Sequence, residues 1–193
     1  MADGGWRLTT VIWLVLIRCV VAAPAPDEPR IVTVVHVDDS DDSFPAVLAR
    51  AQSIAGGIYE QAGITVVWVA ELPPLPRALT LMVVQSASVP AHLTGEAMGV
   101  APSPGDGTRG STAYVFSDRV TSFAASGQLH LASVLACAMA HEIGHLLLPA
   151  GAHTRDGIMR DIWQPALFPP KSPGLLGFTP TQARLLRLRA ASR

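Results

Sequence analysis

The apolar stretch from Leu129 to Leu148 restricts the fold of this chain more than any other feature. Apolar residues occupy nearly every face of the helix that it predicts, including Leu131, Val134 and Met139. A helix that is apolar all round is buried in the core of a domain. The stretch is too short for a membrane span and also contains three histidines and a glutamate. We therefore expect a domain built around this helix.

The residues before the central helix predict an alternation of strands and one helix. A buried strand is predicted at 30–37, further strands at 64–69 and 79–84, and an edge or near-edge strand at 111–117. Apolar residues at helical spacing predict a helix between Ser43–Pro45 and Gly63. The order strand, helix, strand, strand favours an α/β (α+β) fold with a mainly parallel, twisted sheet that is covered by helices.

A last helix is predicted after Thr179. The sequence Thr179-Pro180-Thr181-Gln182 has the form of a capping box, in which two side chains satisfy the first free backbone N–H groups. Leu185 and Leu188 are predicted to dock this helix on the core. Because no internal repeat or domain boundary is visible, residues 24–193 are interpreted as a single domain.

Residues 1–23 have the pattern of an export signal. Arg7 precedes a ten-residue apolar run from Leu8 to Ile17, and small residues follow up to Ala23. Ten residues is the length of a signal-peptide core, whereas a spanning helix needs about 20. We predict cleavage near Ala23 and a secreted or periplasmic protein without a membrane span in its mature part. An uncleaved N-terminal anchor is the alternative.

Charge and cysteine content exclude other classes of function. The 193 residues include 14 basic and 15 acidic ones, so the chain lacks the positive charge of a nucleic-acid-binding protein. The mean hydropathy of +0.35 has two sources, the export signal and the central helix. Only Cys137 remains after the predicted cleavage, so the core or a metal has to stabilise the mature domain. We expect it to be monomeric.

The central helix contains an HExxH motif, His141-Glu142-Ile143-Gly144-His145. Residues four apart lie on one face of a helix, so both imidazoles can reach one zinc ion. Glu142 lies about 100° around the helix from His141, where it can take a proton from a zinc-activated water. The motif therefore predicts a zinc site with Glu142 as the general base.

A third zinc ligand is expected after the helix. Pro149 and Gly151 end the helix, which allows the chain to fold back toward the motif. The downstream candidates are His153, Asp156 and Asp161. His153 follows the break directly and is the ligand type best suited to zinc, so it is preferred, with Asp156 next.

These residues resemble the metzincin clan of zinc endopeptidases. The resemblance rests on His141, Glu142, His145, the later His153, and Gly157-Ile158-Met159 as a candidate Met-turn. It implies that Met159 lies beneath the metal as an apolar floor. It also implies a C-terminal helix and an edge strand that lines the cleft and pairs with a peptide substrate. The predicted strand at 111–117 would take that place, with Tyr114 as a weak substrate-binding candidate.

The spacing departs from the usual pattern of that clan. The third histidine is normally ten residues after the first, but that position is Gly151 here, and His153 lies twelve residues after His141. The sequence therefore indicates a divergent, single-domain member with a longer turn before the third ligand. The preferred function is an exported zinc-dependent endopeptidase that acts on peptides or proteins. The alternative is a zinc-stabilised binding or structural domain without catalysis.

Overall fold

The structure, a computed structural model, describes five stretches of the chain, namely residues 31–39, 45–72, 78–103, 110–168 and 176–191. The predicted export signal at 1–23 and the helix cap at Ser43 lie outside these residues. Within the described stretches, no helix has both the length and the apolar character needed to cross a membrane.

Five strands form one sheet in the order β2-β1-β3-β5-β4. Their bounds are Ile31–Asp38 for β1, Ile64–Val69 for β2, Leu79–Val84 for β3, Gly99–Val100 for β4 and Thr112–Phe116 for β5. Neighbours among β2, β1, β3 and β5 are parallel, whereas β4 is antiparallel to β5. This confirms the mixed, mainly parallel sheet. The β-branched residues of the first three strands fit the pleated surface of a sheet.

In the described residues, five α-helices accompany the sheet. They are α1 at Pro45–Gln61, α2 at Ala91–Thr94, α3 at Ser117–Ser126, α4 at Leu131–Leu147 and α5 at Pro180–Ala191, with 3₁₀ turns at Ser86–Ser88 and Pro165–Leu167. Helix α4 is the predicted central helix. Helix α3 was not predicted, because only Val120 and Ala124 among its residues carry a buried apolar side chain.

The core lies between one face of the sheet and the helices α1 and α4. Val35, Leu81 and Val115 point from three neighbouring strands into the same cluster as Met139 and Ile143 of α4, and all five are fully buried. Side chains alternate between the two faces of a strand, so this face is covered by helices. The burial of nearly all of α4 confirms its expected place at the centre of the domain.

The strand predicted at 111–117 is a near-edge strand of the sheet, as expected. The strand at 111–117 corresponds to β5, which is hydrogen-bonded to β3 on one side and to β4 on the other. The end of the sheet on this side is the two-residue strand β4. Such a short strand between glycine-rich and proline-rich segments has no detectable period, and this is why the sequence pattern does not predict it.

The prediction that Leu185 and Leu188 dock α5 on the core is wrong. Leu185 is 37% exposed and Leu188 is 62% exposed, whereas Leu186 is fully buried together with Ala183 and Ala190. Alanines at helical spacing on both sides of Leu186 form the narrow face that meets the core. The capping box is present: the Thr179 N–H donates to Gln182 Oε1 (3.0 Å), and the Gln182 N–H donates to Thr179 Oγ1 (3.3 Å).

Candidate metal centre

Three histidines converge at the C-terminal end of α4. His141 and His145 lie one turn apart on this helix, and His153 follows it after the chain turns back. The Nε2 atom of His145 lies 3.0 Å from Nε2 of His141 and 3.0 Å from Nε2 of His153. The edge of a tetrahedral site with zinc–nitrogen bonds of about 2.0–2.1 Å is about 3.3 Å long. The three residues are therefore close enough together to bind one metal ion.

Of the three downstream ligand candidates, His153 is the one that lies close to His141 and His145. The ligand atoms of His141, His145 and His153 lie within 4.8 Å of one another, and the group includes neither Asp156 nor Asp161. Gly151, at the position of the usual third histidine, has a φ of 73°. It thus forms part of the turn that precedes His153, a backbone conformation that glycine adopts readily.

The protonation of the histidines suits a metal. Nδ1 of His141 donates a hydrogen bond to the Ile158 carbonyl at 2.8 Å. Because a carbonyl can only accept, Nδ1 carries the proton and Nε2 of the neutral ring has a free lone pair. Burial lowers the pKa of His141 to about 4 and that of His145 to about 3, so both imidazoles are neutral near pH 7.

Glu142 has a buried carboxylate oxygen without a hydrogen-bond partner among the described residues. Its side chain is 6% exposed, and Oε2 has no hydrogen-bond donor among the described residues. Burial raises the pKa of Glu142 to about 8 in the metal-free protein. A buried carboxylate is costly unless a cation or hydrogen bonds compensate for the lost hydration. The three histidines and this carboxylate together fit a divalent cation.

Gly99 of β4 leaves the space that Glu142 occupies. A Cβ atom at residue 99 would lie 2.6 Å from Cγ of Glu142 and 2.8 Å from its Cδ. Real Cβ atoms do not approach other carbons so closely, so any larger residue would push the carboxylate aside. The end strand of the sheet thus packs its backbone directly against the candidate general base.

Met159 packs against α4 at Gly144. It is fully buried, and a Cβ atom at residue 144 would lie only 2.6 Å from its sulfur. Gly144 is the glycine of the HExxH motif, one position before His145. The turn that carries Met159 contains Gly157 at a φ of 78°, and the Ile158 N–H donates to the Gly177 carbonyl at 2.8 Å. The predicted Met-turn residue therefore lies against the motif helix.

We expect Gly144→Ala to destabilise the protein by about 1–3 kcal/mol, because the added methyl group overpacks the contact with the Met159 sulfur. The control is Gly57→Ala in α1, where a Cβ would meet no atom within 4 Å. That change should stabilise the protein by up to about 1 kcal/mol, since alanine favours helix more than glycine does. Denaturant unfolding of both variants measures the two effects. Equal effects of the same sign would contradict the close contact.

A cavity of about 460 Å³ adjoins the candidate metal centre. His141 and Glu142 line it together with the apolar side chains of Met98, Phe123, Ile162 and Trp163. The Trp163 ring meets the His141 ring edge to face, with 5.6 Å between the ring centroids. Glu96, Arg160 and Asp161 add charged groups to the lining. A ligand in this cavity would therefore touch both the candidate general base and a ligand histidine.

Tyr114 lies on the other face of the sheet. It packs against the smaller cluster formed by Val84, Val89 and Phe116, whereas its neighbours Ala113 and Val115 face α4. The structure therefore does not bring Tyr114 together with the histidines, and its substrate-binding role stays a prediction. Cys137 is buried in the core, where burial raises the pKa of its thiol to about 12. It behaves as a small core residue.

Tyr59 supports the motif helix from α1 and was missed by the sequence analysis. Its hydroxyl donates to the Ala140 carbonyl at 2.9 Å, directly before His141, and its ring packs on Phe178 with centroids 5.0 Å apart. Burial and the nearby Glu142 carboxylate raise the pKa of this hydroxyl well above its usual value. A tyrosine at a buried helical position was the only available signal, and it does not identify the partner.

Comparison with known proteins does not assign the chain to a family. No protein-family model matches the sequence, and a search of curated proteins finds no match.

Proposed function

We propose that this protein is a zinc-dependent endopeptidase of metzincin-like type. The observation that carries the proposal is the convergence of His141, His145 and His153 next to Glu142, whose buried Oε2 has no hydrogen-bond partner in the part of the chain that the structure describes. A structural metal site has no use for an unpartnered carboxylate in an adjoining cavity. The proposal includes export, which rests on the signal-like pattern of residues 1–23 alone.

Zinc is the proposed metal because of the donor set. Three imidazoles form a site with one open position, which is the arrangement found in catalytic zinc sites. When bound, zinc supplies Lewis acidity, since it polarises a carbonyl group and lowers the pKa of water to about 7. The zinc charge would also favour the ionised form of Glu142, so that the carboxylate can accept a proton.

Glu142 performs the proton transfers in the proposed reaction. Its carboxylate takes a proton from the attacking water, whose oxygen forms the new bond to the carbonyl carbon of the peptide. The same carboxyl group then delivers that proton to the nitrogen of the leaving amine as the C–N bond breaks. The products are one carboxyl terminus and one amino terminus. Met159 packs against Gly144 and is proposed as the apolar floor that keeps α4 in position.

The cavity beside Glu142 suits a peptide substrate. Apolar side chains, among them Met98, Phe123 and Trp163, can accept one apolar side chain of the substrate. The backbone of β4 at the end of the sheet lies next to the same carboxylate and offers a place for an extended chain. Both features support a peptide more than a small hydrophilic molecule.

Zinc-dependent cleavage of an unfolded protein tests the proposal. Purified protein is stripped with a chelator, reloaded with one equivalent of zinc, and incubated with a reduced and alkylated protein substrate. New amino termini that appear only after reloading are the expected result. Zinc binding without any new termini would instead favour the zinc-stabilised binding domain, and no zinc binding at all would reject both functions.

A further inference from the structure

Gln182 makes two kinds of hydrogen bond through one amide group. Its Oε1 accepts from the Thr179 N–H at 3.0 Å, which is half of the capping box of α5. Its Nε2 donates to the Ala152 carbonyl at 3.0 Å and to Thr154 Oγ1 at 3.1 Å. The second set of bonds contributes nothing to the cap. It joins α5 to the two residues on either side of His153.

His153 needs such an anchor more than the other two histidines do. His141 and His145 are held by α4, whereas His153 is exposed and lies in a connector between α4 and the Met159 turn, outside any helix or strand. The connector is also two residues longer before the histidine than the usual pattern of the clan that this sequence resembles. A longer irregular segment has more conformations, so holding its imidazole in place costs more entropy.

The Gln182 amide is held in place by hydrogen bonds at both its oxygen and its nitrogen. It is 4% exposed, and all three of its side-chain hydrogen bonds go to protein atoms. Thr154 extends the same network, because its Oγ1 donates to the Asp156 carbonyl at 2.7 Å and its N–H donates to the Met159 carbonyl at 2.9 Å. The bonds thus tie the His153 segment to α5 and to the turn beneath the histidines.

We propose that Gln182 is a positioning residue for the third metal ligand. By holding Ala152 and Thr154, it keeps the His153 imidazole pointed at His145 before a metal arrives, so binding does not have to order the segment. The inference rests on the proposed metal site. It goes beyond that proposal because it gives α5 a role in holding a metal ligand in position. Groups that orient a ligand from outside the coordination sphere commonly contribute 10- to 100-fold to metal affinity.

Gln182→Glu separates the two roles of the amide. Glutamate keeps an oxygen that can accept from the Thr179 N–H, and it is as good a capping-box residue as glutamine. It loses the N–H donor to the Ala152 carbonyl and places a carboxylate beside that oxygen. We expect zinc affinity, measured by competition with a chromophoric chelator, to fall about tenfold. The visible spectrum of the cobalt-substituted protein should change, because it reports the ligand geometry.

Thr179→Ala is the matched control. It removes the oxygen that accepts from the Gln182 N–H but leaves the Gln182 side chain in place, so it weakens the cap alone. We expect a lower unfolding temperature of the metal-free protein with zinc affinity within about twofold of wild type. Thr154→Val tests the same network without touching α5, since it removes one acceptor of the Gln182 amide. It should weaken zinc binding in the same direction.

The outcomes distinguish the inference from the proposed function. Unchanged zinc affinity and an unchanged cobalt spectrum in Gln182→Glu would overturn the inference alone. An equal loss of affinity in Gln182→Glu and Thr179→Ala would also overturn it, because the effect would then come from helix stability. If wild-type protein binds no zinc, the proposed function fails and the inference fails with it. If Gln182→Glu does not fold, the Thr154→Val result decides.

Discussion

Peptide cleavage by Glu142→Gln is expected to fall by about 10²- to 10⁴-fold, while the variant retains its zinc. Glutamine keeps the size of the side chain and fills the space beside Gly99, but it cannot accept the proton of the attacking water. The initial rate of cleavage and the zinc content per chain are measured on the same preparation.

Glu60→Gln is the control for this loss. Glu60 is an exposed glutamate at the end of α1, next to Tyr59 in sequence, and the same change in charge there should leave the rate unchanged. A Glu142→Gln variant that cleaves as fast as wild type would reject Glu142 as the general base. Loss of zinc together with activity would show that the substitution disturbs the metal centre instead.

His153→Ala should abolish stoichiometric zinc binding. The remaining pair, His141 and His145, lies on one helix and leaves half of a tetrahedral site without protein ligands. A metal that binds only the folded state at 1,000 times its dissociation constant stabilises that state by about 4 kcal/mol. We therefore expect zinc to raise the unfolding temperature of wild-type protein by about 10 °C and to leave that of His153→Ala unchanged.

His130→Ala is the matched control for the loss of zinc. His130 occupies the N-cap position at the other end of α4, makes no side-chain capping bond there and lies outside the histidine group, so this variant should bind zinc as the wild type does. Zinc content by elemental analysis and thermal unfolding with and without zinc measure both variants. Full zinc occupancy in His153→Ala would reject the third ligand, and Asp156 would then be the next residue to test.

The central helix and its motif could be predicted because their signals are local. An apolar stretch of this length defines α4 whatever packs around it, and the spacing of His141 and His145 places both on one face. The strands β2 and β3 begin and end at the predicted residues, since glycine or proline punctuates both segments. The capping box at Thr179 was predictable for the same reason.

The remaining features depend on contacts between distant residues. Whether Leu185 or Leu186 meets the core is decided by the surface on which α5 lies, and leucines alternate with arginines too closely in this helix to show it. The roles of Gly99 and Tyr59 follow from partners that are more than 40 residues away in sequence. No periodicity in a single sequence identifies such partners.

The bond between the Ile158 N–H and the Gly177 carbonyl also sets an order of events during synthesis. Because synthesis starts at the amino terminus, the three candidate ligand histidines are made before Gly177 and Gln182. Those two residues hold the Met159 turn and the His153 segment. The histidines of a nascent chain therefore lack their supports until about thirty further residues have been added after His153. Completion of the centre therefore follows translation of the first turn of α5.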